Sequence, residues 1–209
     1  MSIIKYFFEF LIIIILFIFF KILGLKFASY VGGKLGNLFG PFFRSNKNNI
    51  LPLYNKIVFL TRKNFFYKDF KLSDSFSNRI YLIFFHLCFI LIALKNKESD
   101  KNYQQAIFDF FFRQIELNCR ELGYGDITIN KKMKALIKLF YEILIQCNNW
   151  KYLQIDNKNN LLLNFFSNNY DNKILANKLA NYFDKFALFI EDISLNSITK
   201  GVFNFVYKE

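Results

Sequence analysis

The chain has 209 residues, 54% of them apolar, with 30 Phe and 12 Tyr, and a formal net charge of +12. That apolar content excludes a disordered linker for most of the length, and the length allows one substantial core. The three cysteines, Cys88, Cys119 and Cys147, are far apart, with no Cys-x-x-Cys or His-rich spacing; this speaks against a tetrahedral zinc site and for reduced, buried thiols.

The first predicted element is a membrane anchor. Eleven uncharged residues run between Glu9 and Lys21, and the wider span 3–25 is interrupted only by Lys5, Glu9 and Lys21. Such a span is long enough to cross a bilayer of ~30 Å. Lys21, Lys26, Lys34, Arg44 and Lys47 follow it and only Lys5 precedes it, which puts the main domain on the cytoplasmic side of the inner membrane, with a single pass. Next come Ala28, Gly32, Gly36 and Gly40, four residues apart, which make a flat ridge on a helix that Pro41 closes. The expected organisation is therefore an anchor and glycine-ridged helix over 1–43, a linker over 44–52, and a helical domain over 53–209. Residues 21–50 resemble the amino-terminal segment of lipid A biosynthesis acyltransferases. Those enzymes use a His, four residues, then Asp or Glu, whereas here the lone His86 is followed at that distance by Leu91. The resemblance implies no catalysis.

From residue 53 onward helical periodicity dominates, so the predicted class is all-α: an N-terminal membrane helix, a glycine-ridged helix and an α-helical domain. Residues 80–94 carry no charged side chain and predict a buried central helix, with His86 as a hydrogen-bonded core group. Phe108, Phe111, Phe112, Ile115, Cys119 and Leu122 recur at three- and four-residue steps and predict a buried stripe; Asp109, Arg113, Glu116 and Arg120 fall opposite, as a solvated ladder or a recognition face. Gly123 and Gly125 then predict a left-handed helix end, with Asp126, Thr128 or Asn130 capping the next helix. No strand precedes this turn and no Gly-Lys-Ser/Thr follows it, which excludes a phosphate loop. In the next helix Met133, Leu136, Ile137, Phe140 and Leu144 form the expected buried stripe, and Lys131, Lys134 and Lys138 an exposed basic one. That basic stripe suits RNA, acidic headgroups and plain solubility alike. The Asn-rich run 156–160 reads as a loop, and Leu175, Leu179, Tyr182, Phe183 and Phe186 read as one side of a final helix.

Several short blocks, in order, resemble the ubiquinol-cytochrome c chaperone family over about 53–150. Leu53, Tyr54, Ile57 and Val58 match its start and Phe66-Tyr67 the pair that follows. Arg79 and His86 match the second block. Phe108, Asp109, Arg120, Glu121, Gly123, Gly125 and Asp126 match the third, and Lys131, Lys132, Lys134, Phe140 and Tyr141 the fourth. The chain departs from the pattern in two places: Glu142-Ile143 stands for the usual Gly-Arg, and Gln114 for a more acidic region.

The resemblance implies a non-enzymatic assembly chaperone that uses no cofactor and no metal. Its implied client is newly made cytochrome b or its nascent chain, held in an aromatic groove with charged rims. The ribosome, a second chaperone subunit and inner-membrane lipids are further candidate partners, and DNA is not. The client-binding candidates are Arg79, His86, Asp109, Arg113, Glu116, Arg120, Glu121, Asp126, Lys131, Lys132 and Lys134.

Overall fold

In the computed structural model, residues 50–166 and 172–207 are described, and all belong to one unit spanning Asn46–Glu209. The expected membrane helix, the glycine ridge and the stretch resembling an acyltransferase up to residue 49 lie outside the described residues. Within them the protein is all-α, with no strand. The elements in order are α1 (50–61), α2 (Asn64–Lys68), α3 (Phe76–Asn96), α4 (Lys101–Glu121), α5 (Asp126–Asn148), a 3-10 turn (Trp150–Tyr152), α6 (Ile155–Phe165), α7 (Asn172–Asp192) and α8 (Leu195–Thr199).

α3 is the centre of the bundle. It starts where Ser75 accepts the backbone N–H of Asn78, an N-cap that satisfies one otherwise orphaned donor. Its length and apolarity would suffice for a membrane span, but most of it is buried by protein, with α4, α5 and α7 packed around it. Leu82, Phe84, Phe85, Leu87, Cys88 and Ile90 are completely inaccessible, so apolar residues fill the whole circumference rather than one stripe. The expectation of a buried central helix holds. The three cysteines are free and buried, as their spacing predicted.

Helix α7 behaves as its pattern predicts: Leu175, Leu179, Tyr182, Phe183 and Phe186 all enter the core. Phe183 stacks on Phe85 of α3 with ring centres 5.0 Å apart, within the range where offset aromatic pairs attract. Three other expectations are corrected. The run 156–160 is part of α6, not a loop; Leu161 and Leu162 seat that helix on the core, and the buried Asn159 donates its side-chain N–H to Asn177 of α7. In α4 the buried set is Ile107, Phe110, Phe111, Phe112, Ile115 and Cys119, while Leu122 emerges into solvent because the helix ends beside it. In α5 the fully buried residues are Ile129, Phe140, Ile143 and Cys147; Met133, Leu136, Ile137 and Leu144 pack against the core only at its edge. α5 is thus a peripheral helix.

After α8 the chain runs extended, with Phe203 and Phe205 turned inward and Val202 and Val206 outward. Gly201 lets it leave the helix with φ of 62°, and a Cβ there would sit 2.7 Å from the carbonyl carbon of Pro52 in α1. Neither that backbone angle nor that space accepts a side chain. Gly201→Ala should therefore destabilise the protein by more than about 1 kcal/mol, read as a lower urea midpoint; an unchanged midpoint would show that the tail moves freely from α1.

Candidate functional site

The motif that joins α4 to α5 is built by hydrogen bonds. Gly123 adopts φ of 82°, its N–H bonds to the Arg120 carbonyl at 2.9 Å, and the Tyr124 N–H reaches back to the Cys119 carbonyl at 3.4 Å. This is the paired bonding of a left-handed glycine C-cap, as the sequence predicts. The cap of α5 differs from expectation: Gly125 occupies it, without a side-chain bond, and Asp126 is the first helical residue. There its carboxylate favours the positive helix end and accepts from Arg120 Nη1 at 2.6 Å. Arg120 also donates to Glu116 one turn earlier at 2.8 Å, so one guanidinium spans the turn between two carboxylates. All three side chains are substantially solvent-exposed, and the cluster fixes the hairpin's shape more than its stability.

The other charged candidates are scattered around this hairpin. Lys132 places its ammonium 4.4 Å from the Tyr124 ring centre, and Lys131, Lys134 and Glu121 are exposed. Asp109 accepts from Gln105 at 2.8 Å, while Arg113 enters no ion pair among the described residues. Arg79, at the start of α3, is committed to a two-pronged bond with Asp74, at 2.6 and 2.7 Å. That bond holds the Asp74 carboxyl below its ordinary range. The ladder expected along α4 therefore forms only at Glu116 and Arg120.

His86 does not join the surface set. It is completely buried, and its Nδ1 lies 2.6 Å from the Leu82 carbonyl and its Nε2 2.7 Å from the Tyr182 hydroxyl. A carbonyl only accepts, so Nδ1 carries the proton and the Tyr182 O–H donates to Nε2. The pair ties α3 to α7 in the core. His86 as a client contact is corrected accordingly: its ring is completely buried between α3 and α7.

Burial lowers the His86 pKa from 6.5 to about 4, against the opposing pull of the Leu82 carbonyl. The unfolded ring therefore binds a proton that the folded ring refuses. Stability present above pH 6.5 is lost as pH falls towards 4, a loss of about 3 kcal/mol. Urea unfolding of the wild type should show that drop and His86→Gln should flatten it; parallel profiles for the two would disprove the coupling.

Two neighbouring grooves open along the last turns of α5, about 21–33 Å along the helix from Asp126. One, of about 450 Å³, lies between α3, α4 and α5 and is floored by Leu91, Ile92, Phe108, Phe140 and Leu144, with Tyr141 and Ile145 on its exposed wall and Lys95 and Lys101 at its rim. The second, of about 540 Å³, lies between α3, the 3-10 turn and α7, with Phe89, Trp150, Tyr152 and Leu188 among its lining residues. Ile92, Asn148 and Asn149 belong to both. Ile145 is 63% and Leu188 68% exposed, high values for aliphatic side chains beside a groove. In the second groove Asp184 accepts from both Trp150 Nε1 at 2.6 Å and Lys158 Nζ at 2.7 Å, which locks the indole in place.

These groove residues were not among the sequence candidates. Tyr141 was noted only as a family match, and the exposed aliphatics looked like ordinary members of an apolar-rich chain. The available signal was the single Trp150 just after α5.

A helical bundle that presents two adjacent grooves, one mainly apolar and one mixed, both bordered by lysines and aromatic side chains, has a form suited to binding a protein segment. The chain belongs to the ubiquinol-cytochrome C chaperone family, whose pattern matches residues 68–205. The match begins after the Leu53 and Phe66-Tyr67 blocks and runs well past residue 150, so α6, α7 and the extended tail belong to the family fold. The crystal structure of the Cbp3 homolog from Brucella abortus has the same fold, with a TM-score of 0.67, 22% identity, and coverage of 83% of this chain and 97% of that one. No curated protein matches the chain significantly.

Proposed function

We propose that the protein is a non-enzymatic assembly chaperone of the ubiquinol-cytochrome c reductase that holds newly made cytochrome b at the cytoplasmic face of the inner membrane. Family membership supports the chaperone role. The observation that carries the client reading is the pair of adjoining grooves with exposed Tyr141, Ile145, Tyr152 and Leu188. A subunit made almost entirely of membrane helices exposes apolar side chains until its cofactors and neighbours are in place. Aromatic and aliphatic residues around a shallow groove cover such a surface without demanding one geometry. Lys95 and Lys101 at the rim suit the acidic or carbonyl-rich end of a client helix. Asp109 lies near the same rim, since Gln105, which bonds it, lines the groove; Arg113 lies one turn further along α4. Glu116, Arg120 and Asp126 brace the hairpin at the opposite end of α5, and Lys131, Lys132 and Lys134 lie on the first turns of α5 beside it.

The test is co-purification. Tyr141→Glu combined with Ile145→Glu should lower recovery of cytochrome b with the chaperone by about tenfold or more, because each apolar side chain covered contributes ~1.5 kcal/mol. Helix content should not change, because both residues face solvent. Undiminished recovery with an intact fold would remove the groove from the mechanism.

A further inference from the structure

The α4–α5 hairpin presents a combination that client binding in the grooves does not use. Ile127 is 89% exposed, and Leu122 and Tyr124 beside it are also exposed. Added methyl groups at Gly123 or Gly125 would meet nothing within 4 Å, so this tip projects into open space. Lys131, Lys134 and Lys138 follow Ile127 at intervals of four, three and four residues, which places all four on one exposed helix face. The order is therefore an apolar tip and then a row of ammonium groups along the same line. Arg120 offsets only one of the two charges of Glu116 and Asp126, so with Glu121 the tip keeps two negative charges, set against Lys131, Lys132 and Lys134, while Lys138 faces Glu142 at 3.8 Å.

We propose that this hairpin is a membrane-contact element: Leu122, Tyr124 and Ile127 enter the headgroup region of an anionic bilayer, and Lys131 and Lys134 pair with lipid phosphates. Apolar side chains at the leading edge with lysines set back by one or two helical turns match the depth profile of a bilayer interface, where the acyl boundary lies below the phosphates. Nucleic acid would use the lysines but leave Ile127 and Leu122 bare. A folded protein partner would cover the apolar tip but has no need of a cationic row running away from it. The contact would orient the domain on the membrane and stands independently of the grooves.

The three native cysteines are buried, so Ile127→Cys in the full-length protein offers one accessible thiol for an environment-sensitive fluorophore. Val202→Cys, also exposed, gives a control. In vesicles rich in phosphatidylglycerol, the label at position 127 should shift to the blue and be quenched by lipid-borne quenchers, whereas the label at 202 stays aqueous. Vesicles of phosphatidylcholine alone should give no shift. Lys131→Gln and Lys134→Gln should each reduce the quenched fraction relative to the free one about fivefold, while Tyr141→Glu with Ile145→Glu leaves it unchanged. A label at 127 that remains aqueous on both vesicles overturns the proposal. So does a shift that appears only when cytochrome b is added, which would make the tip a protein-docking surface.

Discussion

The structure depends on burying α3 from every side. Its uncharged run offers no polar face, so a single neighbour cannot satisfy it; α4, α5 and α7 must all close around it. Within that closure the one polar side chain that matters is His86, and it is acceptable in an aromatic core only because both ring nitrogens are spoken for, one by the Leu82 carbonyl and one by Tyr182. Phe66, Phe183 and Phe186 pack around the same pair, so the hydrogen bond and the ring contacts specify one registration of α7 on α3.

The grooves follow from that demand. Helix α5 supplies Phe140, Ile143 and Cys147 to the centre and leaves much of its remaining surface outside. Only one face of its carboxy-terminal half enters the core, and a cleft remains on either side of that face, towards α4 and towards α7. The cleft towards α4 keeps the apolar character of the core it borders, whereas the cleft towards α7 carries Asn96, Lys158, Asp184 and Glu191 beside its aromatic residues. The Trp150, Lys158 and Asp184 cluster keeps one wall from collapsing inward. Exposed apolar surface of this kind is costly to solubility unless a partner covers it, and a chaperone is a protein for which that exposure is useful.

The sequence was a good guide where a residue's local pattern decides its place. The α7 stripe, the left-handed glycine between α4 and α5, and the exposure of Lys131, Lys134 and Lys138 were all readable from spacing. It was a poor guide where a distant element decides. The Asn-rich start of α6 looks like a loop until Asn177 of α7 provides a partner for Asn159. The α5 stripe was rotated because an apolar surplus lets several faces qualify, and only the position of α3 selects Ile129, Phe140, Ile143 and Cys147. The grooves were illegible for the same reason: Ile92, Tyr141, Trp150 and Leu188 come from four separate elements. The charged candidates, by contrast, were legible as residues but not as an arrangement, since Arg120 gathers Glu116 and Asp126 whereas Arg79 is committed to Asp74.

The grooves and the hairpin tip occupy opposite ends of α5, so one peripheral helix carries two surfaces of different chemistry. The proposed service to cytochrome b is tested by deleting the gene in the source organism and recording the reduced-minus-oxidised spectrum of its membranes alongside lipid A acylation. The b-type haem signal of the ubiquinol-cytochrome c reductase should be lost with lipid A unaltered, and the wild-type gene should restore it. A normal cytochrome b spectrum in the deletion strain would contradict the proposal.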